Sequence, residues 1–317
     1  MPKPEQKRPS LLEKQGLIWL DGQLIDWQEA KTHVLTHSLH YGVGVFEGVR
    51  AYQTEEGHAI FRLQDHTDRL FNSAKIMKIS MPFDKKTLNQ AQIDVVSKND
   101  LSAAKAVYLR PMVFSGAESL GIHATNPTHV MVAAWEWGAY LGAEKMANGV
   151  NVGTSSYVRS HVNSTMCKAK TNGNYVNSVL AAREASDHGY DEALLLDHQG
   201  HVAEGSGENF FMVRKGKIYT PPTASILEGI TRDTIMTLAR EKGYELIEKN
   251  ITRDEVYIAD EAFFTGTAAE LTPIRALDNR EIGEGKPGPI TQDLQSAYFD
   301  VVYGRSDKHK AWLTFVN

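Results

Sequence analysis

Apolar and polar positions alternate clearly near the start of the chain. In LIWLDGQLIDW (17–27) two alternating runs flank Asp21-Gly22, which predicts a β-hairpin turning on Asp-Gly. THSLHYGVGVFEGVRAY (36–52) mixes glycines with β-branched and aromatic residues, the composition of strand and turn. HTDRLFNSAKIMKI places Leu63, Leu70, Ala74 and Met77 near one face and predicts a helix capped by Asp65. AVYLRPMVF (106–114) and HVMVAAWEW (129–137) predict two further strands. GAYLGAEKMAN (138–148) is Gly-bearing and poorer in β-formers, so it divides a first domain, 1–137, from a second, 149–317. In the second part a helix over 173–188 ends at Gly189. ALLLD (193–197) and NFFMV (209–213) are expected as strands around a turn at His198-Gln199-Gly200. GITRDTIMTLAREKG (229–243) predicts a helix between glycines, EAFFTGTAAE (261–270) a strand entering a Gly-Thr turn, and TQDLQSAYFDVVYG (291–304) a closing helix. No internal repeat is visible, and the pattern is that of an α+β chain in two domains.

Composition narrows the functional classes. The 317 residues are 42% apolar, enough for substantial cores, and the net charge of −5 argues against a polyanion partner. No apolar run approaches the roughly 18 residues of a membrane span. Residues 1–12 are polar at the start and read as a flexible lead-in without a signal core. A single cysteine, Cys167, leaves no intrachain disulfide and no cysteine-built metal cage, which fits a cytoplasmic protein.

Four segments of the second part carry candidate chemistry. CKAKTNGNYVNS (167–178) holds Lys168 and Lys170, and residue chemistry alone does not choose between a reactive lysine and a solvated pair. EGSGENFF (204–211) reads either as a hairpin turn or as a glycine-lined approach in which a buried glutamate needs a cationic partner. SILEGITRD (225–233) sets free backbone N–H groups at a helix start, an ordinary cap or an anion site. FFTGTAAE (263–270) offers a second small anion nest at a strand end. A reactive lysine, an acid for a protonated ring nitrogen and two phosphate cradles together meet the needs of pyridoxal 5'-phosphate. A non-catalytic phosphate- or nucleotide-binding protein would use the same two cradles. His37 and His40 lack further ligands at metal spacing, so no metal site is expected and both are read as structural.

The chain resembles the branched-chain amino acid aminotransferases among the fold-type IV pyridoxal phosphate enzymes. The stretches that carry this resemblance, in order, are HSLHYGVGVFEGVRAY, YLRPMVF, WGAYLGAE, KTNGNY, EGSGENFF, PPTASILEGITRD and FTGTAAELTP. It implies a smaller N-terminal α/β domain, a connecting loop, and a larger C-terminal domain with a β-barrel-like core, the cofactor lying between them. It also implies that the Schiff-base lysine stands five residues before the tyrosine of Gly-Asn-Tyr, which makes it Lys170; Lys168 is then a surface or structural charge. Thr171 and Asn172 depart from the small residues frequent in close relatives. Further, the resemblance places Tyr175 near the cofactor's phenolic oxygen and Glu204 on its pyridine nitrogen. Arg69, Ile230, Thr231, Gly266 and Thr267 would hold the phosphate, Asn209 would support the EGSGEN turn, and Glu208 would stand behind the ligands. Tyr41, Phe46, Tyr108, Trp137 and Tyr140 would form the substrate wall, with Gly48 and Arg50 on the small-domain side. Arg110 would bind the γ-carboxylate of glutamate, and Thr267 and Ala268 the α-carboxylate.

The implied function is ping-pong transamination of leucine, isoleucine and valine with 2-oxoglutarate, giving branched-chain 2-oxo acids and glutamate. Leu120 to Ile122 resemble a loop that reaches a neighbouring subunit, so a homodimer or a trimer of dimers is expected, with no nucleic acid or membrane partner. A D-amino acid transaminase or an aminodeoxychorismate lyase shares the fold and would keep Lys170, Glu204 and both cradles.

Overall fold

Asp21 (φ 48°) and Gly22 (φ 96°) turn strand β1 (Leu17–Leu20) back into β2 (Gln23–Asp26), with Leu20 opposite Gln23. The structure is a computed structural model that describes residues 10–138 and 141–316. Tyr140 and residues 1–9 of the expected lead-in lie outside the described residues.

The segment expected as strand and turn opens instead with a short helix, α1 (His37–Tyr41). His37 and Tyr41 stack at 4.5 Å, an i,i+4 pairing that only a helical turn provides, and Gly42 (φ 66°) ends it. Strands β3 (Gly44–Phe46), β4 (Val49–Thr54) and β5 (Gly57–Phe61) follow. Helix α2 (Leu63–Ile76) begins after Arg62, not at Asp65. Asp65 lies inside the first turn, where its carboxylate accepts from Arg62 Nε at 2.7 Å. Helix α3 (Lys85–Ser97) is capped by the Asp84 side chain, which accepts from the Thr87 N–H. The long strands β6 (Ala106–Ser115) and β7 (Thr128–Glu136) pair antiparallel along their length.

Beyond Trp137, helix α4 (Ala143–Asn148) leads into β8 (Val150–Thr154). Then come α5 (Tyr175–Asp187), β9 (Glu192–Leu196), β10 (Val202–Gly205), β11 (Asn209–Arg214) and β12 (Lys217–Thr220). The turn at 198–200 therefore joins β9 to β10 and not to NFFMV. β10 has only four residues, all buried, so it shows no alternation that would betray it. Helix α6 (Ile230–Glu241), β13 (Leu246–Glu248), α7 (Arg253–Tyr257), β14 (Glu261–Gly266), β15 (Glu270–Leu277), β16 (Arg280–Glu281), α8 (Pro289–Val302) and β17 (Leu313–Phe315) complete the chain.

Two sheets result. The first runs β17-β5-β4-β6-β7-β1-β2 with β3 beside β6, so the end of the chain returns to the first sheet through β17. In the second, β10-β9-β8-β15-β14-β11 closes on itself through Glu204 opposite Asn209, a six-strand barrel. The chain is thus a mixed fold with a β-barrel core, as the resemblance implied.

NFFMV is apolar on both faces because both are buried. Phe210 and Met212 join one core with Val150, Leu194 and Phe264; Phe211 and Val213 face another with Ile235, Phe263 and Leu294. Tyr52, Ala59 and Phe61 of the first sheet belong to that second core, which packs the two sheets together through α6 and α8.

Candidate active site

The lysine segment is strung along β3. Phe46 N–H donates to the Lys170 carbonyl at 3.0 Å, Asn172 N–H to the Gly44 carbonyl at 3.0 Å, and Gly173 N–H to the Gly42 carbonyl at 3.1 Å. Thr171 is buried opposite Val45, and the Lys170 N–H donates to Ser73 Oγ of α2 at 3.1 Å. The lysine is thereby fixed to the first sheet while Tyr175 starts α5 of the second. Lys170 Nζ donates to the Tyr175 hydroxyl at 2.6 Å, and the rings of Tyr175 and Phe46 lie 5.1 and 5.2 Å from it. Lys168 points elsewhere: its ammonium pairs with Glu228 at 3.0 Å and donates to the carbonyls of Thr223 and Ile226.

Lys170 opens into a cavity of about 310 Å³ between the two sheets. One wall is the turn between β10 and β11. Glu204 Oε2 accepts from Asn209 Nδ2 at 3.2 Å and from the Leu227 N–H at 3.4 Å. Oε1 lies 2.7 Å from Arg159 Nε, yet it is buried without an aligned hydrogen bond. Burial pushes the Glu204 carboxyl up, and the Arg159 guanidinium opposes that rise. Glu208 is wholly enclosed, and burial with Glu192 beside it holds its carboxyl well above the usual range.

A neighbouring corner gathers N–H donors. Gly229 precedes α6 with no side chain capping the helix, so the N–H groups of Ile230 and Thr231 are left for a ligand. A Cβ on Gly229 would lie 1.9 Å from Asn209 Oδ1, so the helix start and the Glu204 wall are built on one close approach. Arg69 reaches this corner from α2 and donates to the Glu228 carbonyl at 2.8 Å. Gly266 and Thr267, at the end of β14, close the corner, and Thr265 Oγ1 beside them is buried without a partner.

A third side is apolar with one cation. The Arg110 guanidinium stacks 4.6 Å over Phe46 and donates to the Tyr108 hydroxyl at 2.8 Å; its Nε is buried without a partner. Tyr108 packs edge-on against Trp137 at 4.6 Å. A Cβ on Gly48 would meet the Tyr108 hydroxyl at 2.2 Å, so only glycine leaves that ring in place. Ala268 completes this side.

Of the residues expected from the sequence, Phe46, Gly48, Arg69, Tyr108, Arg110, Trp137, Lys170, Tyr175, Glu204, Ile230, Thr231, Gly266, Thr267 and Ala268 all line this one cavity. Two do not. Arg50 is buried behind it, donating to the carbonyls of Gly138 and Ala268 at 2.9 and 3.0 Å, because its charge is taken up by Glu270 and by main chain. Tyr41 stands half exposed against His37, held outside by the turn of α1. The sequence reading missed Arg159, which comes from a loop with no periodic pattern. Its signal was indirect: a buried carboxylate at Glu204 calls for a cation.

The donor set fits pyridoxal phosphate. A buried carboxylate oxygen without an aligned donor suits a protonated ring nitrogen, an uncapped helix start with Arg69 suits a phosphate, and a lysine amine lines the same cavity. Among the described residues no group of three His, Cys, Asp or Glu could hold a metal ion, and no helix is long and apolar enough to cross a membrane.

Comparison with known proteins points the same way. Residues 44–277 match the family profile of the class IV amino-transferases. The chain is 57% identical over 308 residues to a branched-chain-amino-acid aminotransferase of Pseudomonas aeruginosa, covering 97% of this chain and 99% of that one. It superposes on the T.th. branched-chain amino acid aminotransferase with pyridoxamine 5'-phosphate at a TM-score of 0.92 and 50% identity, covering 96% and 99% of the two chains. The same T.th. protein complexed with N-(5'-phosphopyridoxyl)-L-glutamate gives a TM-score of 0.91 and 48% identity, again over 96% and 99%.

Proposed function

The chain belongs to the class IV aminotransferases, and on that premise we propose how its residues divide the work. The reaction is transamination of branched-chain amino acids, and the cofactor is pyridoxal phosphate. The bound cofactor supplies a carbonyl for exchange and a ring that takes up negative charge. The observation that carries our assignment of roles is the meeting of the Lys170 amine, the buried Glu204 oxygen that lacks an aligned hydrogen bond and the uncapped start of α6 in one cavity.

Lys170 Nζ would hold the cofactor and, as a free amine, would move the substrate's α-proton. Holding amine and α-carbon together makes the transfer effectively intramolecular, and proton transfer of this kind contributes about 10²–10⁴-fold. Tyr175, already hydrogen-bonded to that amine, orients it and would be a partner for the cofactor's phenolic oxygen. Glu204 would hold the proton on the ring nitrogen; Asn209 and Arg159 fix the carboxylate that would do so. Arg69 and the N–H groups of Ile230, Thr231, Gly266 and Thr267 bind the phosphate.

Phe46, Tyr108 and Trp137 receive the branched apolar side chain. In the second half-reaction we assign 2-oxoglutarate as acceptor. Arg110 takes its γ-carboxylate, its Nε–H being buried without a partner, and Thr267 and Ala268 take the α-carboxylate. Arg50 supports this side from behind, through Ala268. The working unit is a small domain (1–137) and a large one (149–317), of which β17 returns to the first sheet, with the site between them. Exposed Leu39, Ile122, Val176 and Val179 support a dimer or a trimer of dimers. The single cysteine supports a cytoplasmic setting. The test is an assay of leucine, isoleucine and valine with 2-oxoglutarate beside D-alanine and aminodeoxychorismate. Turnover of only the last two would overturn the acceptor and substrate assignments together.

A further inference from the structure

Directly behind the phosphate corner lies a buried carboxylate that none of the assigned roles uses. Glu47 is 1% exposed and sits between two cavity residues, Phe46 and Gly48. Its backbone N–H donates to the Pro111 carbonyl at 2.8 Å, which pins the segment to β6. Its carboxylate takes Arg69 in a two-pronged pairing, Oε1 to Nε at 2.7 Å and Oε2 to a terminal nitrogen at 2.8 Å. Oε2 also accepts from His66 Nδ1 at 2.8 Å, and His66 stands one helical turn before Arg69 on α2. Burial pushes the His66 imidazole down, so near neutral pH it is an uncharged donor. For Glu47 burial alone would raise the carboxyl, but Arg69 and then His66 hold it well below the usual range, so it stays an anion.

The consequence concerns geometry at Arg69. A guanidinium has five N–H donors. Among the described residues, three of them find Glu47 or the Glu228 carbonyl, which leaves two for a ligand in the cavity that Arg69 lines. A long cationic side chain free to rotate would lose entropy on binding an anion; one already clamped does not. We propose that Glu47 and His66 are positioning residues that hold Arg69 as a pre-oriented phosphate donor, so the preference of the site for a phosphorylated cofactor depends on them. This rests on the reading of Arg69 as a phosphate ligand. Because Glu47 lies between Phe46 and Gly48, the same carboxylate also ties the phosphate corner to the substrate wall.

The experiment compares pyridoxal phosphate with pyridoxal, which lacks the phosphate, in reconstitution of the full-length protein after removal of its cofactor. The readout is the ratio of the two half-saturating concentrations, a quantity that a merely structural defect would not move. Glu47→Gln, close in shape but uncharged, is expected to weaken pyridoxal phosphate about ten- to a hundred-fold while pyridoxal changes less than about twofold. Loss of both equally, or of neither, while Arg69→Gln collapses the ratio, overturns the positioning role alone. If Arg69→Gln itself leaves the ratio unchanged, the phosphate reading of Arg69 falls and the inference with it. Should Glu47→Gln fail to fold, His66→Gln carries the same test: a reduced ratio supports the proposal and an unchanged one overturns it.

Discussion

The Lys170 amine and the Tyr175 hydroxyl lie 2.6 Å apart although they belong to different structural units, one strung along β3 and the other opening α5. Lys168, only two residues earlier, turns to Glu228 at the edge of the site. Lys170→Met should therefore lower turnover by at least about 10³-fold and leave no cofactor fixed to the chain by borohydride. Lys168→Met should keep both properties within a few-fold, since a half-exposed ion pair contributes little. Equal loss in the two variants would sink the assignment of Lys170.

Arg110 predicts a split between the two half-reactions. Its guanidinium stacks on Phe46 and leans on Tyr108, so it adds apolar cover for any substrate but a charge only for a dicarboxylate. Arg110→Met should raise KM for 2-oxoglutarate about tenfold to a hundredfold, the worth of a charge-assisted pair, and change KM for leucine much less. Steady-state kinetics with each substrate varied in turn measures this, and a parallel rise in both constants would remove Arg110 from the acceptor site.

The same contrast shows what the sequence could reveal. Hairpins, long strands and amphipathic helices followed from periodicity because each has one polar face or a marked turn. β10 was hidden because all of its residues are buried, and α1 because its five residues make a single turn held by His37 on Tyr41. Glycine-bearing motifs pointed to the helix start and the strand-end turn, since close backbone approach leaves a compositional trace. Arg159, Glu47 and His66 left none: each acts through a contact far away in sequence, and an isolated arginine or glutamate looks alike on a surface and in a core. Thr171 and Asn172, unusual neighbours of the lysine, prove to be backbone partners of β3, with Thr171 buried.

Gly229 sets the spacing between the helix start and the Glu204 wall. A methyl group there would press on Asn209 Oδ1, whose amide nitrogen holds both Glu204 and the Leu227 carbonyl. Gly229→Ala should cost about 1–3 kcal/mol of stability by overpacking and weaken cofactor binding at the same time. Thermal unfolding and cofactor titration measure the two effects; a variant with unaltered cofactor affinity would show that the approach is incidental.

Glu208 predicts a pH-dependent gain. It is a buried residue of the cavity wall whose charge is opposed most by Glu192 and less by Glu204, with Lys170 as the favouring cation. Its carboxyl is raised above the unfolded value of about 4.3, so the folded state holds a proton that the unfolded state has released. The sign follows: the group costs nothing below the unfolded pKa, and its burden on stability grows as pH rises through the folded one. Glu208→Gln removes that burden, keeps an acceptor for the Gly207 N–H now bonded at 3.0 Å, and offers an amide donor in place of a second carboxylate beside Glu192. The variant should accordingly unfold at a higher temperature than the parent near pH 8, with the difference shrinking on acidification and vanishing below about pH 4. Unfolding midpoints of the two holoenzymes across that range measure it. A difference that is constant with pH would mean that Glu208 carries no proton linkage, and a lower midpoint at pH 8 would mean that its charge is stabilised by a partner other than those named.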